Sequence, residues 1–111
     1  MAKFIQDRVA RVPTQNIRSS QGFVELALTG NHGLGIDAAQ FQILEPNGSD
    51  RDVYLPPASV SLGAWFRIMN AGGGGDDLLV KTEPGGPTIM TIANLEAGFL
   101  VCNGVSWTPL L

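Results

Sequence analysis

The amino-acid sequence predicts an all-β protein, and three observations carry that expectation. Fourteen glycines and seven prolines among 111 residues leave few uninterrupted stretches for long helices. Six to eight short apolar segments recur at roughly 8–12-residue spacing, separated by turn residues. Several of these segments alternate with period two, as half-buried strands do. The expected form is a compact sandwich, barrel or prism-like body over residues 21–111, preceded by an N-terminal arm over residues 1–20. The turn spacing does not choose among the three.

The arm is set apart by charge. Residues 1–20 hold Lys3, Arg8, Arg11 and Arg18 against Asp7 alone, whereas the remainder holds Arg51, Arg67 and Lys81 against nine acids. A basic leader on an acidic body suits a segment that meets an acidic surface. Ile5, Val9 and Val12 have helical spacing, Pro13 ends any helix there, and Thr14 to Gln21 reads as polar linker. Such a segment is too short to hold a helix by itself and would gain structure on a partner.

The strands of the body follow in order. Phe23 to Leu28 is apolar apart from Glu25. Thr29 to Gly35 reads as a turn-rich loop that includes His32. Ala39-Gln40-Phe41-Gln42-Ile43 alternates strictly. Pro46-Asn47-Gly48 carries the Asn-Gly signal of a hairpin. Arg51 to Leu55 alternates, with Val53 and Leu55 on one face, and Pro56-Pro57 stops it. Ala64 to Met69, Leu78 to Lys81 and Thr88 to Ile92 read as further strands. Gly98 to Cys102, a second Asn-Gly turn at Asn103-Gly104, and a closing strand over Val105 to Trp107 complete the set. Asp37 to Gln40 is the one helical competitor, a single turn.

Reactive chemistry finds little support. The single histidine, His32, has no local signature placing it beside a serine or cysteine nucleophile, and reads as a solvated loop residue. One cysteine, Cys102, excludes an intrachain disulfide and reads as a buried, inert thiol. One Cys and one His do not build a typical zinc site. Gly72 to Gly75 lead into Asp76-Asp77 and a strand, not into Lys-Ser/Thr and a helix, so a phosphate loop is not expected. Asp50, Asp52, Asp76 and Asp77 lack the spacing of a calcium loop. Four arm charges without interleaved aromatics argue against nucleic acid as a partner. No apolar run reaches the ~18 residues of a membrane span, and the first residues lack the apolar stretch of a signal peptide. Neither a cofactor nor catalysis is expected. Trp65, Phe66 and Trp107 are candidates for the core or a subunit interface. With Tyr54, the two tryptophans also leave a small carbohydrate-binding β-sandwich as an alternative.

One resemblance goes further. Arg51-Asp52-Val53-Tyr54-Leu55-Pro56 is followed by Trp65-Phe66-Arg67-Ile68-Met69-Asn70-Ala71, by Leu79-Val80-Lys81, by Thr88-Ile89 and Thr91-Ile92, and by Leu100-Val101-Cys102-Asn103-Gly104 with Trp107. This succession over Phe41 to Trp107 resembles bacteriophage capsid decoration (cement) proteins and parts of tail fibres. The resemblance implies a virion structural protein, frequently trimeric, with no catalytic positions. The small size favours decoration over a fibre or receptor-binding accessory, which would need a shaft. On this reading the chain binds the outer head surface as a homotrimer after assembly in the host cytoplasm. It would stabilise the shell by bridging capsomers, with the major capsid protein and itself as partners. Phe4, Ile5 and Val9 would fill shell pockets, and Arg8 and Arg11 would pair with shell carboxylates.

Overall fold

A computed structural model of the protein describes residues 22–110. The arm residues Phe4, Ile5, Arg8, Val9 and Arg11 lie outside the described residues. The body is all-β, with nine strands in two mixed sheets among the described residues. They are β1 (Phe23–Ala27), β2 (His32–Gly33), β3 (Phe41–Glu45), β4 (Arg51–Tyr54), β5 (Trp65–Asn70), β6 (Leu78–Lys81), β7 (Met90–Ile92), β8 (Ala97–Cys102) and β9 (Trp107–Leu110). One 3-10 turn, Ala58–Val60, precedes β5.

The chain winds between the sheets. Sheet A has the order β1-β3-β5-β8-β9, and sheet B has the order β2-β4-β6-β7. From β1 to β6 each strand in one sheet is followed by a strand in the other, and neighbours within a sheet run parallel. The return connection of each parallel pair is thus the opposing sheet rather than a helix. β7, β8 and β9 then reverse direction and pair antiparallel with β6, β5 and β8 respectively. The coils are unequal in length, since Phe23 pairs with Phe41 and Phe41 with Arg67. That inequality hides the winding from any search for a sequence repeat.

The core lies between the sheets. Sheet A contributes Leu44, Phe66, Ile68, Leu100, Cys102 and Trp107, and sheet B contributes Val53, Leu78, Val80 and Ile92. Phe66 and Trp107 pack at 5.7 Å between ring centroids, and the Trp107 indole N–H donates to the Pro56 carbonyl at 2.8 Å. Val53 and Leu55 face the core, as the alternation of their strand requires.

Four expectations change. Asn47 and Gly48 do adopt positive φ, 63° and 101°, as an Asn-Gly turn demands. Yet β3 and β4 belong to different sheets, so this turn carries the chain across the core and forms no hairpin. Arg51 holds it there, donating from Nε to the Pro46 carbonyl at 2.8 Å and from Nη2 to the Asn47 carbonyl at 3.0 Å. The second Asn-Gly does join a hairpin, β8 to β9, where the Asn103 side chain accepts from the Val105 and Ser106 amides. That hairpin has a four-residue loop, so the closing strand starts at Trp107 rather than at Val105. His32, expected in a loop, lies in β2 opposite Val53 and is half-buried, because its backbone extends the parallel ladder of sheet B. Asp37 to Gln40 does not form a helical turn; the turn there spans Gly35 to Ala38, where the Ala38 amide donates to the Gly35 carbonyl at 3.1 Å.

Candidate functional site

The two sheets turn very different outer faces to their surroundings. On sheet B, the outward residues of β4 and β6 form a polar network. Lys81 Nζ lies 3.1 Å from Asp52 Oδ2, and the Tyr54 hydroxyl donates to the same oxygen at 3.1 Å. Asn31 donates to the Tyr54 hydroxyl at 3.3 Å and accepts from the Asp52 amide at 2.9 Å. Partial burial and then the Asp52 carboxylate raise the Tyr54 hydroxyl above its ordinary pKa. This is the solvated face that a two-layer fold normally shows water.

Sheet A breaks that rule. Strand pairing places Phe23, Phe41, Arg67, Phe99 and Leu110 in one row across all five strands. The next row holds Glu25, Ile43, Met69 and Ala97, and on the other side stand Trp65, Val101 and Thr108. Phe23, Phe41, Met69 and Leu110 are 38–53 % exposed, a heavy exposure for side chains that a core would normally absorb. Phe41, Trp65 and Phe99 make an edge-to-face chain with centroid distances of 5.5 and 5.6 Å. Such edge-to-face pairs are worth about 0.5–1.5 kcal/mol each beyond the area they bury. Phe23, Phe41, Ile43, Arg67 and Met69 line a concavity of about 340 Å³. Beyond Trp65 lies a second concavity of about 370 Å³ with a more polar lining, although Ile36, Val60 and Leu62 around it are each more than half exposed.

A sheet face of five strands measures roughly 24 Å across by 17 Å along the strands, or about 400 Å² in plan. A patch of that extent is of the size of the largest apolar patch on an ordinary small protein, and such patches are often functional. Charge on it is sparse and segregated. Arg67 sits centrally on β5, whereas Glu25 and Glu45 sit at the β1–β3 corner, where they flank a further concavity of about 290 Å³. Among the described residues Arg67 makes no ion pair.

The candidate core and interface residues therefore separate. Phe66 and Trp107 point inward, at 2 % and 6 % exposure, while Trp65, one residue from Phe66, points outward onto the apolar face. Buried Trp107 presents no ring to a sugar, so Trp65, Trp107 and Tyr54 do not form one stacking surface; Tyr54 belongs to the outer face of sheet B.

The remaining chemistry-bearing residues are dispersed. Among the described residues no three or more His, Cys, Asp or Glu side chains gather to hold a metal ion. Asp50 accepts from the Asp77 amide at 2.8 Å, and Asp52 is taken by Lys81 and Tyr54. Burial lowers the His32 pKa from its ordinary value. The Cys102 thiol is buried, donates to the Ala58 carbonyl at 3.4 Å and accepts from the Gly104 amide at 3.4 Å. The glycine-rich loop is a tethered connection. Asn70, fully buried, donates to the Asp76 and Ile92 carbonyls and accepts from the Gly72 amide. A Cβ on Gly72 would lie 2.9 Å from the Pro46 ring, which explains that glycine by close approach. Among the described residues no helix is long and apolar enough to cross a membrane.

Reading along the sequence passed over the outer face because Phe41 and Ile43 look like the core side of an alternating strand. In the structure they point outward, and Gln42 and Leu44 point inward. The available signal was that Phe41 to Leu44, Trp65 to Met69 and Phe99 to Val101 carry apolar residues on both parities. No family model, curated protein or solved structure matches this chain.

Proposed function

We propose that the protein is a non-catalytic structural protein that works by surface association, and that its setting is the outer surface of a bacteriophage head, as a capsid decoration protein. The observation that carries the association reading is the apolar outer face of sheet A, which stands beside the polar outer face of sheet B on the same two-layer body. Burying exposed phenylalanine, methionine and leucine side chains is worth ~25 cal/mol per Å² before the costs of binding are met, so such a face favours association over solvation. The narrower reading rests on the ordered phrases from Arg51 to Trp107. Under it the major capsid protein is the partner, and the basic arm of residues 1–20 supplies the grip, through Phe4, Ile5 and Val9 in shell pockets and Arg8 and Arg11 against shell carboxylates.

The test is the number of copies in purified virions of the phage encoding the chain, by quantitative mass spectrometry against the major capsid protein. A number near that of the shell protein supports decoration. A handful of copies moves the protein to the tail, and absence overturns the virion setting while leaving the association reading to be judged on its own.

A further inference from the structure

We propose that the outer face of sheet A is a self-complementary surface on which a second copy of this chain docks about a two-fold axis. The proposal rests on reading this face as a binding surface, and adds the partner and the register.

Two features of the face fit each other. Arg67 stands at its centre, and Glu25 with Glu45 flanks a concavity at its β1–β3 corner. Arg67 and Glu25 are two strands and two residues apart, roughly 12 Å along the sheet. No ion pair joins them within one protein. Turning one copy over onto another, about a two-fold axis midway between Arg67 and Glu25, brings Arg67 of each onto Glu25 of the other, with Glu45 roughly 8 Å further along the sheet. The same operation occurs twice, as an isologous contact requires. The surface between the charges is the apolar concavity of Phe23, Phe41, Ile43 and Met69, so the axis passes through the apolar centre and the ion pairs flank it. Arg67 then gains a partner as its surroundings lose water, and the opposite charges set the register.

The size of the face sets the strength expected. About 400 Å² in plan on each copy, about 800 Å² for the pair, falls short of the ~1,200 Å² at which standard specific interfaces begin, so the dimer should be weak and depend on concentration rather than be permanent. An axis of this kind yields two copies, whereas the decoration-protein resemblance implies three.

Sedimentation equilibrium of the full chain at graded concentrations tests the proposal. A reversible monomer–dimer equilibrium is expected. Arg67→Glu should weaken it at least about tenfold by setting like charges together. Glu25→Arg should do the same, and the double reversal should restore it to within about threefold of the parent. Phe41→Ser should remove the dimer. All three substituted positions are exposed and face outward, and circular dichroism and urea midpoints like those of the parent identify the folded variants. If one single variant fails to fold, the other single variant supplies the comparison. A monomer at every concentration, a trimer, an unchanged equilibrium in Arg67→Glu, or a double reversal no better than the singles overturns the proposal. If Phe41→Ser leaves the mass unchanged but ends attachment to heads, the face binds another protein: self-docking fails and the association reading stands.

Discussion

Replacing Asn70 by alanine should cost the protein a large share of its stability. The Asn70 side chain is fully buried at the end of β5 and satisfies three backbone groups. Its Nδ2 donates to the Asp76 carbonyl at 2.8 Å and to the Ile92 carbonyl at 3.1 Å, and its Oδ1 accepts from the Gly72 amide at 3.0 Å. It thereby joins sheet A to sheet B and fixes both ends of the glycine-rich loop. Alanine leaves those three groups without these partners in a dry setting. At about 1–3 kcal/mol for each, offset by relaxation of the exposed loop toward water, the loss is about 3–5 kcal/mol. A domain of this size has 5–15 kcal/mol in total. With a urea slope of ~1–1.5 kcal/mol/M, the midpoint should fall by about 2–5 M. Equilibrium urea unfolding followed by far-ultraviolet circular dichroism measures it. Asn70→Asp should be worse, since it puts a carboxylate against two carbonyl oxygens. A midpoint shift below about 0.5 M for Asn70→Ala would show that water replaces these bonds without cost, and would refute the account of the loop as a structural tether.

Other outcomes follow from single contacts. Trp107→Phe keeps a ring beside Phe66 but removes the donor to the Pro56 carbonyl, so it should lose about 2 kcal/mol in the same urea assay. His32 has a lowered pKa, so the folded state favours the neutral ring. Its contribution is complete above about pH 6.5 and is lost as pH falls through the lower folded value. His32→Gln should flatten the decline in thermal midpoint over that acidic window, while the parent keeps it. The Cys102 thiol should react with a disulfide reagent at a rate that rises with urea in step with unfolding, because burial and its two hydrogen-bonding partners shield it; fast labelling of the native protein would place the thiol at the surface.

The strands themselves were largely legible along the chain. Val53 and Leu55 alternate with polar neighbours, Pro56-Pro57 stops their strand, and both side chains are buried. Leu78 to Lys81 is a strand in the structure with the bounds its apolar run suggests. His32 was misplaced because two residues give no periodicity to read; parallel pairing with Val53 makes the strand. Nothing along the chain singles out Asn70, because its importance lies in which backbone groups it reaches, in a loop and in the other sheet. The binding candidates divided similarly. Trp65 and Phe66 are adjacent and apolar, and only the direction of β5 sends one to the outer face and the other to the core.

The all-β class of the protein is legible in its residues alone. Period-two segments, short apolar runs and glycine and proline punctuation fix β-strands locally, because they act through neighbouring residues and backbone dihedrals. Its turn chemistry was local in the same sense, and Asn47-Gly48 takes the positive φ values that it favours. Tertiary structure alone decided which strand lies beside which. Pairing depends on contacts between distant residues, and one tight turn serves either a hairpin or a crossing between sheets. From that pairing comes the alignment of Phe23, Phe41, Arg67, Phe99 and Leu110. Residues from five separate segments become one face only when the sheet forms, because surface is a property of the assembled ladder.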